Sequence, residues 1–425
     1  MARSLLQKRS AIIIGGGPAG VSAALCLHRE TDISCRVYEI RAEPTTQGGA
    51  IGIPCNGLRL IHRLGLHDAV LSRGSSRSNL VIRSLQGNSL GEQDLVGEAR
   101  DETGFGYLRI KRTDLQDVLL GAANKAEIPI HYNKRLTAVE ESEGGVTVRF
   151  SDGTTDTADL LLGCDGIHSS VRRLYVDPQQ LPEYSGLSAI GSIVPTSVLS
   201  ESAAADIRGM NVTLTQEGMF LAMTCTASDN EIFWGFQMEI PEPKFGDSKD
   251  GRDLRREEEL GAFRIKLQEL LERAGSEWVG TMSELVNKSS VMGLIPIYKL
   301  PTGGTWFKGR CLLIGDAAHA MQPHAGQGIS TALEDGFLLA RLLKDTSRSL
   351  NDVYERFDQI RRPRVEEIHR IAGNNMQIRK RAGPWGLWFK ELGIWAFFGA
   401  THTLGLSKKV STHKHLIYDI GDEDL

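Results

Sequence analysis

The first residues with chemistry in them are glycines. Gly15, Gly17 and Gly20 form a Gly-x-Gly-x-x-Gly directly after the apolar run 11–14. In such a motif Gly15 permits a tight turn, Gly17 lets backbone N–H groups approach a pyrophosphate, and Gly20 lets helix and strand pack closely. The stretch 21–30 reads as a helix whose positive end faces those phosphates. A second strand, 35–40, carries Glu39 nineteen residues after Gly20. An acid there can accept bonds from ribose hydroxyls. Strand, glycine turn, helix, strand is the opening βαβ unit of a dinucleotide-binding fold.

Two more clusters follow apolar strands. One is Gly163-Cys164-Asp165-Gly166, with His168, Ser169 and Arg172 after it; the other is Gly315-Asp316-Ala317-Ala318-His319, followed by Pro323 and Gly326-Gln327-Gly328. Either aspartate could instead close a turn and cap a helix. His168 and His319 have acid–base chemistry, yet their motif positions favour structure. His324, beside Pro323, is the more open candidate.

The elements that must position these residues can be read from periodicity. Residues 56–64 predict a helix stopped by Gly65, and 113–126 a helix with Asp114 near its start. Residues 80–95 predict a hairpin about Gly87-Asn88. Runs 146–150 and 159–162 predict strands with the turn Asp152-Gly153 between them. In the middle region, 175–291, Ile232, Trp234, Phe236, Met238 and Ile240 alternate with Phe233, Gly235, Gln237 and Glu239. That period of two predicts an antiparallel sheet covered on one side. The charged run 247–259 reads as a solvated loop and helix start; 262–271, 329–343 and the basic stretch 354–378 read as helices.

Composition excludes several classes. Glycine is 46 of 425 residues, about 11% against a usual ~7%, but without period or repeat. The balance 49 − 53 = −4 shows no basic excess for nucleic acid. The six cysteines lie far apart with no Cys-x-x-Cys pair, which predicts free thiols, no metal and a cytoplasmic setting. Arg3, Lys8 and Arg9 precede too short an apolar run for a signal peptide. The stretch 384–406 is rich in Trp and Phe, but Lys390, Glu391 and four glycines interrupt it, so it does not read as a spanning helix.

With these motifs in this order, the chain resembles the class A flavoprotein monooxygenases, the single-component aromatic hydroxylases, nearest their salicylate-hydroxylase-like branch. The resemblance runs from about residue 11 to 343, weakens across Arg361-Arg362-Pro363-Arg364 and returns at Leu416, Tyr418 and Asp419. It implies an α/β fold of the para-hydroxybenzoate hydroxylase kind. A Rossmann-type FAD-binding domain with a parallel sheet (1–174 and 296–370) would hold an inserted antiparallel substrate domain (175–295), with a helical tail at 371–425.

The resemblance also implies non-covalent FAD, with NAD(P)H as a transient reductant. Gly15, Gly17, Ala19 and Gly20 would cradle the pyrophosphate, with Glu39 and Arg41 at the adenosine ribose. Gly52 would pass close to the flavin, Arg112 and Asp316 would reach the ribityl and phosphate region, and Asp165-Gly166 would serve both FAD and the reductant. Pro323 to Ile329, with Gly326 and Gly328, would line the isoalloxazine, and the helix that follows would offer its positive end to the reduced flavin. The reaction implied is insertion of one oxygen atom of O2 into an electron-rich aromatic or heteroaromatic ring through a C4a-hydroperoxyflavin.

Two departures from the family pattern bear on substrate. Lys111 stands where the family often has His, and no arginine occurs near Ile190 or Gly191. Arg208 could replace it or be a surface residue. The expectation is therefore an apolar or aromatic small molecule, neutral or larger, rather than a small anionic benzoate. It would be received by Trp234, Phe236, Met238 and His324, unless the first three are simply core. Pro323, His324 and Arg208 are the candidates for contact with the reacting molecule. Epoxidation of an isoprenoid or indole double bond in secondary metabolism is the alternative reaction, and a flavin-linked reductase or non-catalytic flavoprotein the second alternative. The tail 384–406 reads first as a helix packed on the substrate domain or on the mate in a homodimer, the chain otherwise being a monomer. Peripheral membrane contact is the second reading.

Overall fold

The apolar runs of the sequence become the middle of a six-stranded sheet in the computed structural model. The structure describes residues 9–44, 48–243, 249–290, 292–403 and 414–425, so the basic start at Arg3 and Lys8 lies outside the described residues. Ser10–Ile14 pairs in parallel with Ser34–Tyr38 on one side and Leu160–Gly163 on the other. The order continues outward to Cys311–Leu313 and the antiparallel edge Phe307–Lys308, and to Ile130–His131 at the opposite edge. Residues 11–14 and 160–163 are buried on both faces, as a parallel sheet covered by helices requires.

Two helices place their amino ends at the same loop. Pro18–Glu30 starts with proline inside its first turn, and Gly328–Lys344 buries Leu338, Leu339, Leu342 and Leu343 completely. Each such leucine contributes about 1.5–3 kcal/mol by leaving water. The helices pack closely at Gly336, where an added Cβ would lie 3.2 Å from the Ala23 Cα. An added Cβ at Gly315 would lie 3.1 Å from Ala19 and 3.5 Å from Ala332, both near their helices' starts. The Gly315-Asp316 loop is thus wedged between two positive helix ends.

The second layer is a seven-stranded sheet in the order Gly293–Lys299, Glu183–Pro195, Glu231–Glu239, Gly218–Thr224, Met210–Leu214, Asn79–Arg83, Ser89–Asp94. Only Met210–Leu214 with Asn79–Arg83 is a parallel pairing. The hairpin at 80–95 therefore forms, but it extends this second sheet although its sequence position falls within the first nucleotide-binding segment. The turn at Asp152-Gly153 also joins different partners from those expected. It links Gly145–Phe150 to Thr155–Ala158 in a three-stranded sheet, while Leu160–Gly163 returns to the parallel sheet. The helix Leu350–Gln377 continues through Pro363. The last residues fold back onto the first layer: Leu416 packs with Cys55, Val96 and Ala99, Ile420 joins the main core, and Asp419 pairs with Arg59 and Arg63 at 2.7 and 2.6 Å.

Candidate active site

Gly15 has φ +113°, and a side chain there would collide with the Cys164 carbonyl, so the glycine loop lies directly against the Asp165 motif. Nothing stands within 4 Å of where a Gly17 side chain would project, and the helix behind it has no side-chain cap. The result is an open cradle facing unsatisfied backbone donors, which suits an anion. Glu39 Oε2 accepts from Gly16 N at 2.8 Å; Oε1 accepts from Arg41 N at 3.0 Å and pairs with the exposed Arg41 guanidinium. Oε2, with one donor, keeps a lone pair for a further one. Gln116, on the helix Arg112–Lys125, donates to Gly16 O at 2.7 Å while its buried Oε1 has no partner.

Asp316 is reached by solvent although protein surrounds it, so it lines a cleft and not the outer surface. Burial pushes its carboxyl above the ordinary range, with His319 and Arg112 opposing. Arg112 is exposed beside it. Asp165 works differently: its carboxylate accepts from Ser169 Oγ at 2.5 Å and Ser170 N at 2.6 Å, closing the turn that follows. Ala19 packs toward Gly315, and the side-chain space at Gly52 is taken by the Tyr107 hydroxyl.

Pro323–Ala325 forms one short turn, Gly326 adopts φ +63°, and the helix Gly328–Lys344 opens without a side-chain cap. Pro323, Gly326 and Gly328 are exposed and Ile329 is half-buried. Beneath them lies a buried charge network. His319 Nε2 meets Asp335 Oδ2 at 2.7 Å, the same oxygen accepts from Gly315 N at 2.8 Å, and Arg361 bridges Asp335 at 2.8 Å and Glu334 at 2.7 Å. Glu334 also accepts from Asn56 Nδ2 at 3.0 Å, and Asn56 donates to Gln327 Oε1 at 2.9 Å. Burial alone would raise the Asp335 carboxyl; His319 and Arg361 hold it below the ordinary range. His319 is therefore part of the scaffold of both motif loops.

His324 is buried and joins the two layers: its Nε2 lies 3.0 Å from Gln237 Oε1 on the second sheet. With that carbonyl as acceptor, Nε2 carries the proton and the buried, unpartnered Nδ1 is an acceptor. Burial, with Arg379 adding, pushes the imidazole down to about 3. Asn375 donates to His324 O at 3.0 Å, which lays the end of the helix Leu350–Gln377 over this loop. One turn on, Arg379 is half-buried, has no acidic partner among the described residues and leaves Nε buried and unpaired. Burial lowers it only to about 10, so it stays charged.

The structure corrects the expected substrate face. Trp234, Phe236 and Met238 are buried under the helices that carry Phe263, Leu267 and Met282, and Trp234 Nε1 donates to Ser289 Oγ at 2.8 Å. The residues turned toward His324 are the alternate set, Phe233, Gly235 and Gln237. Gly235 lies opposite Gly191 in the register, and the Phe233 ring lies against Gly49, Gly191 and Gly235. Arg208 is exposed and its carbonyl accepts from Asn79 Nδ2 at 3.1 Å; no contact brings it to His324. Period two made both faces visible in the sequence, but the apolar residues of the two faces do not say which one helices will cover. Gln237, Gln116, Asp335 and Arg379 carried no motif signal. The nearest signal was the polar Gln237 within an apolar alternation. Among the described residues no cluster could hold a metal ion.

An open cradle at Gly17, an orphaned Gln116 oxygen, an acid in an enclosed cleft and a second uncapped helix form one dinucleotide site, and FAD fits it. The family described as FAD binding domain matches residues 8–259 and 302–372. The chain is 31% identical over 385 residues to a 3-amino-4-hydroxybenzoate 2-monooxygenase of Streptomyces platensis, covering 88% of this chain and 91% of that one. It is 27% identical over 374 residues to a 6-hydroxynicotinate 3-monooxygenase of Pseudomonas fluorescens, covering 88% and 92%. The crystal structure of Klebsiella pneumoniae HpxO with FAD and uric acid shares the fold at TM-score 0.78 and 23% identity, over 96% of this chain and 99% of that one. The chain belongs to the FAD-binding-domain family, among the class A aromatic hydroxylases. It is an FAD-dependent monooxygenase, and NAD(P)H is the family's usual reductant.

Proposed function

We propose that the chain hydroxylates a ring that already carries a hydroxyl group. The ring lies between the 322–328 loop and the face bearing Phe233, Gly235 and Gln237. The observation that carries this is the buried, unpartnered His324 Nδ1, fixed as an acceptor because Nε2 donates to Gln237. A buried acceptor without a donor is costly, and a phenolic or hydroxypyridine O–H supplies the donor. Arg379, charged and without an acid, favours that oxygen as it gains negative charge. A more anionic oxygen makes the ring richer in electrons, which oxygen insertion requires. Phe233, lying over paired glycines, offers an apolar wall for the ring. The two relatives are named for hydroxylated substrates, which supports this chemistry.

FAD, when bound and reduced by NAD(P)H, supplies the oxygen-activating chemistry. Glu39 would hold its ribose. Gly15 through Gly20 would hold the pyrophosphate, and Arg112, Gln116 and Asp316 the ribityl–phosphate stretch. Gly326 to Ile329 would face the isoalloxazine with backbone donors. The test is NAD(P)H oxidation by the yellow protein under oxygen, with each phenol compared with its methyl ether. Phenol-dependent oxidation and a product heavier by one oxygen are expected; equal stimulation by the ether defeats the reading. Epoxidation is the second reading. It is favoured by the apolar wall that Phe233 makes over Gly191 and Gly235, which an isoprenoid or indole would meet as well as a phenol. An epoxide or its diol among the products would establish it.

A further inference from the structure

The helix Pro384–Thr403 is apolar apart from Lys390, Glu391 and its last turn, and the rest of the chain covers only the side on which those two charges lie. The covered side carries Leu387, Ile394 and Phe398, and the Phe398 ring lies where a side chain at Gly91 would project. That contact seats the helix on the edge strand Ser89–Asp94. The opposite side carries Trp385 at 78% exposure, Trp388, Phe389 at 63%, Leu392 and Trp395 at 60%. Their spacing of three and four residues makes one continuous outward stripe. Soluble monomers rarely leave such a patch in water.

Charge says what covers it. Residues 379–403 hold Arg379, Lys380, Arg381 and Lys390 against Glu391 alone. Arg379 is half-buried beside His324, Arg381 pairs with Glu217 and Lys390 donates to the carbonyls of Ile378 and Lys380, which leaves Lys380, among the described residues, as the unpaired cation at the helix entry. By sequence, residues 404–415 add Lys408, Lys409 and Lys414 and no acid. Two copies paired through this face would bring cation-rich segments together. An anionic surface instead neutralises them. Tryptophan, with an apolar ring and one N–H, is the side chain suited to the lipid headgroup level. No helix among the described residues is long and apolar enough to cross a membrane, so the helix lies in the interface.

We propose that the helix Pro384–Thr403 docks the enzyme on the surface of an anionic membrane, its Trp385–Trp388–Trp395 stripe entering the headgroup region. The entry to the helix is pinned to the second sheet: Ala382 N donates to Gln216 O at 2.8 Å, and Arg381 pairs with Glu217 at 3.1 Å. The helix starts just after Arg379. If the site reading above holds, docking also sets the cleft mouth beside the lipid, where an apolar ring compound partitions.

The test floats the full-length, FAD-loaded protein with vesicles of phosphatidylcholine containing about 30 mol % phosphatidylserine. Expected results are co-flotation, weakening with salt and on pure phosphatidylcholine, and a blue shift of tryptophan emission on adding vesicles. The triple variant Trp385→Ser, Trp388→Ser, Trp395→Ser should lose at least about tenfold in partition while keeping bound FAD. Wild-type protein left in the soluble fraction with unchanged emission overturns the proposal. So does a dimer that the triple variant dissociates without any vesicle binding, which would give the face to a second copy. Neither readout involves turnover, so a wrong substrate assignment leaves the result intact.

Discussion

His324 links pH to stability in a definite direction. An unfolded histidine titrates near ~6.5, while the folded one is pushed down to about 3. Between those values the unfolded chain binds a proton that the folded chain does not. Stability is therefore full above the unfolded value and falls as pH drops through it, by about 2 kcal/mol at about pH 5. His324→Gln should remove that share, giving a smaller difference between urea denaturation at pH 7 and pH 5; equal differences would refute the assignment. His369, also lowered by burial, titrates in both proteins and cancels. Arg379→Met tests the other polar group. It should raise KM for the phenol about 10- to 100-fold, the loss of a charge-assisted hydrogen bond, with FAD content unchanged. An unchanged KM places Arg379 outside the substrate site.

The helices Gly328–Lys344 and Leu350–Gln377 are locked together by Arg361, which is fully buried between Glu334 and Asp335. A buried ion pair is weak evidence of net stability, but removing one partner strands the others. Arg361→Met should cost about 3–5 kcal/mol in guanidinium denaturation, because two buried carboxylates then lose the cation that bridges them and keep only His319 at Asp335 and Arg364 at Glu334. Adding Glu334→Gln and Asp335→Asn should recover part of the loss. No recovery would mean that the cost is packing alone. These helices were legible as elements because their apolar residues recur at helical spacing. Their bridge was not: the sequence shows Arg361-Arg362-Pro363-Arg364 as a basic run, and nothing in a basic run says which arginine turns inward. Arg361 and Arg364 do so, both reaching Glu334, while Arg362 pairs with Asp358 at 2.5 Å and stays half-buried.

At the scale of the molecule, the His324–Gln237 bond ties the 322–328 loop, proposed to face the flavin, to the second sheet. Gln237→Ala should leave FAD binding intact while loosening how the two layers position a substrate. The expected sign is a peroxide yield per NAD(P)H raised at least about twofold, measured by catalase-coupled oxygen uptake, since misplaced substrate lets activated oxygen escape. An unchanged yield would show that the bond is not needed for alignment. The six cysteines take no part in such losses. All are buried and free, and burial pushes Cys35 and Cys225 up to about 12, far from a reactive thiolate.

The sequence by itself determined the glycine turns of the candidate nucleotide site. Tight turns and close backbone approaches demand glycine at particular positions, so Gly15, Gly17 and Gly20, and the later Gly–Asp loops, can be read without coordinates. It also determined that a two-faced sheet exists between the two halves of that site. Which face turns toward His324 was decided only by tertiary structure. The helices carrying Phe263, Leu267 and Met282 dock on the Trp234 side and turn Phe233 and Gln237 inward. Long-range packing likewise sends residues 79–94 into the second sheet and places Arg379 beside His324. Local spacing specifies which side chains share a face; which partner covers that face depends on segments far away in the chain.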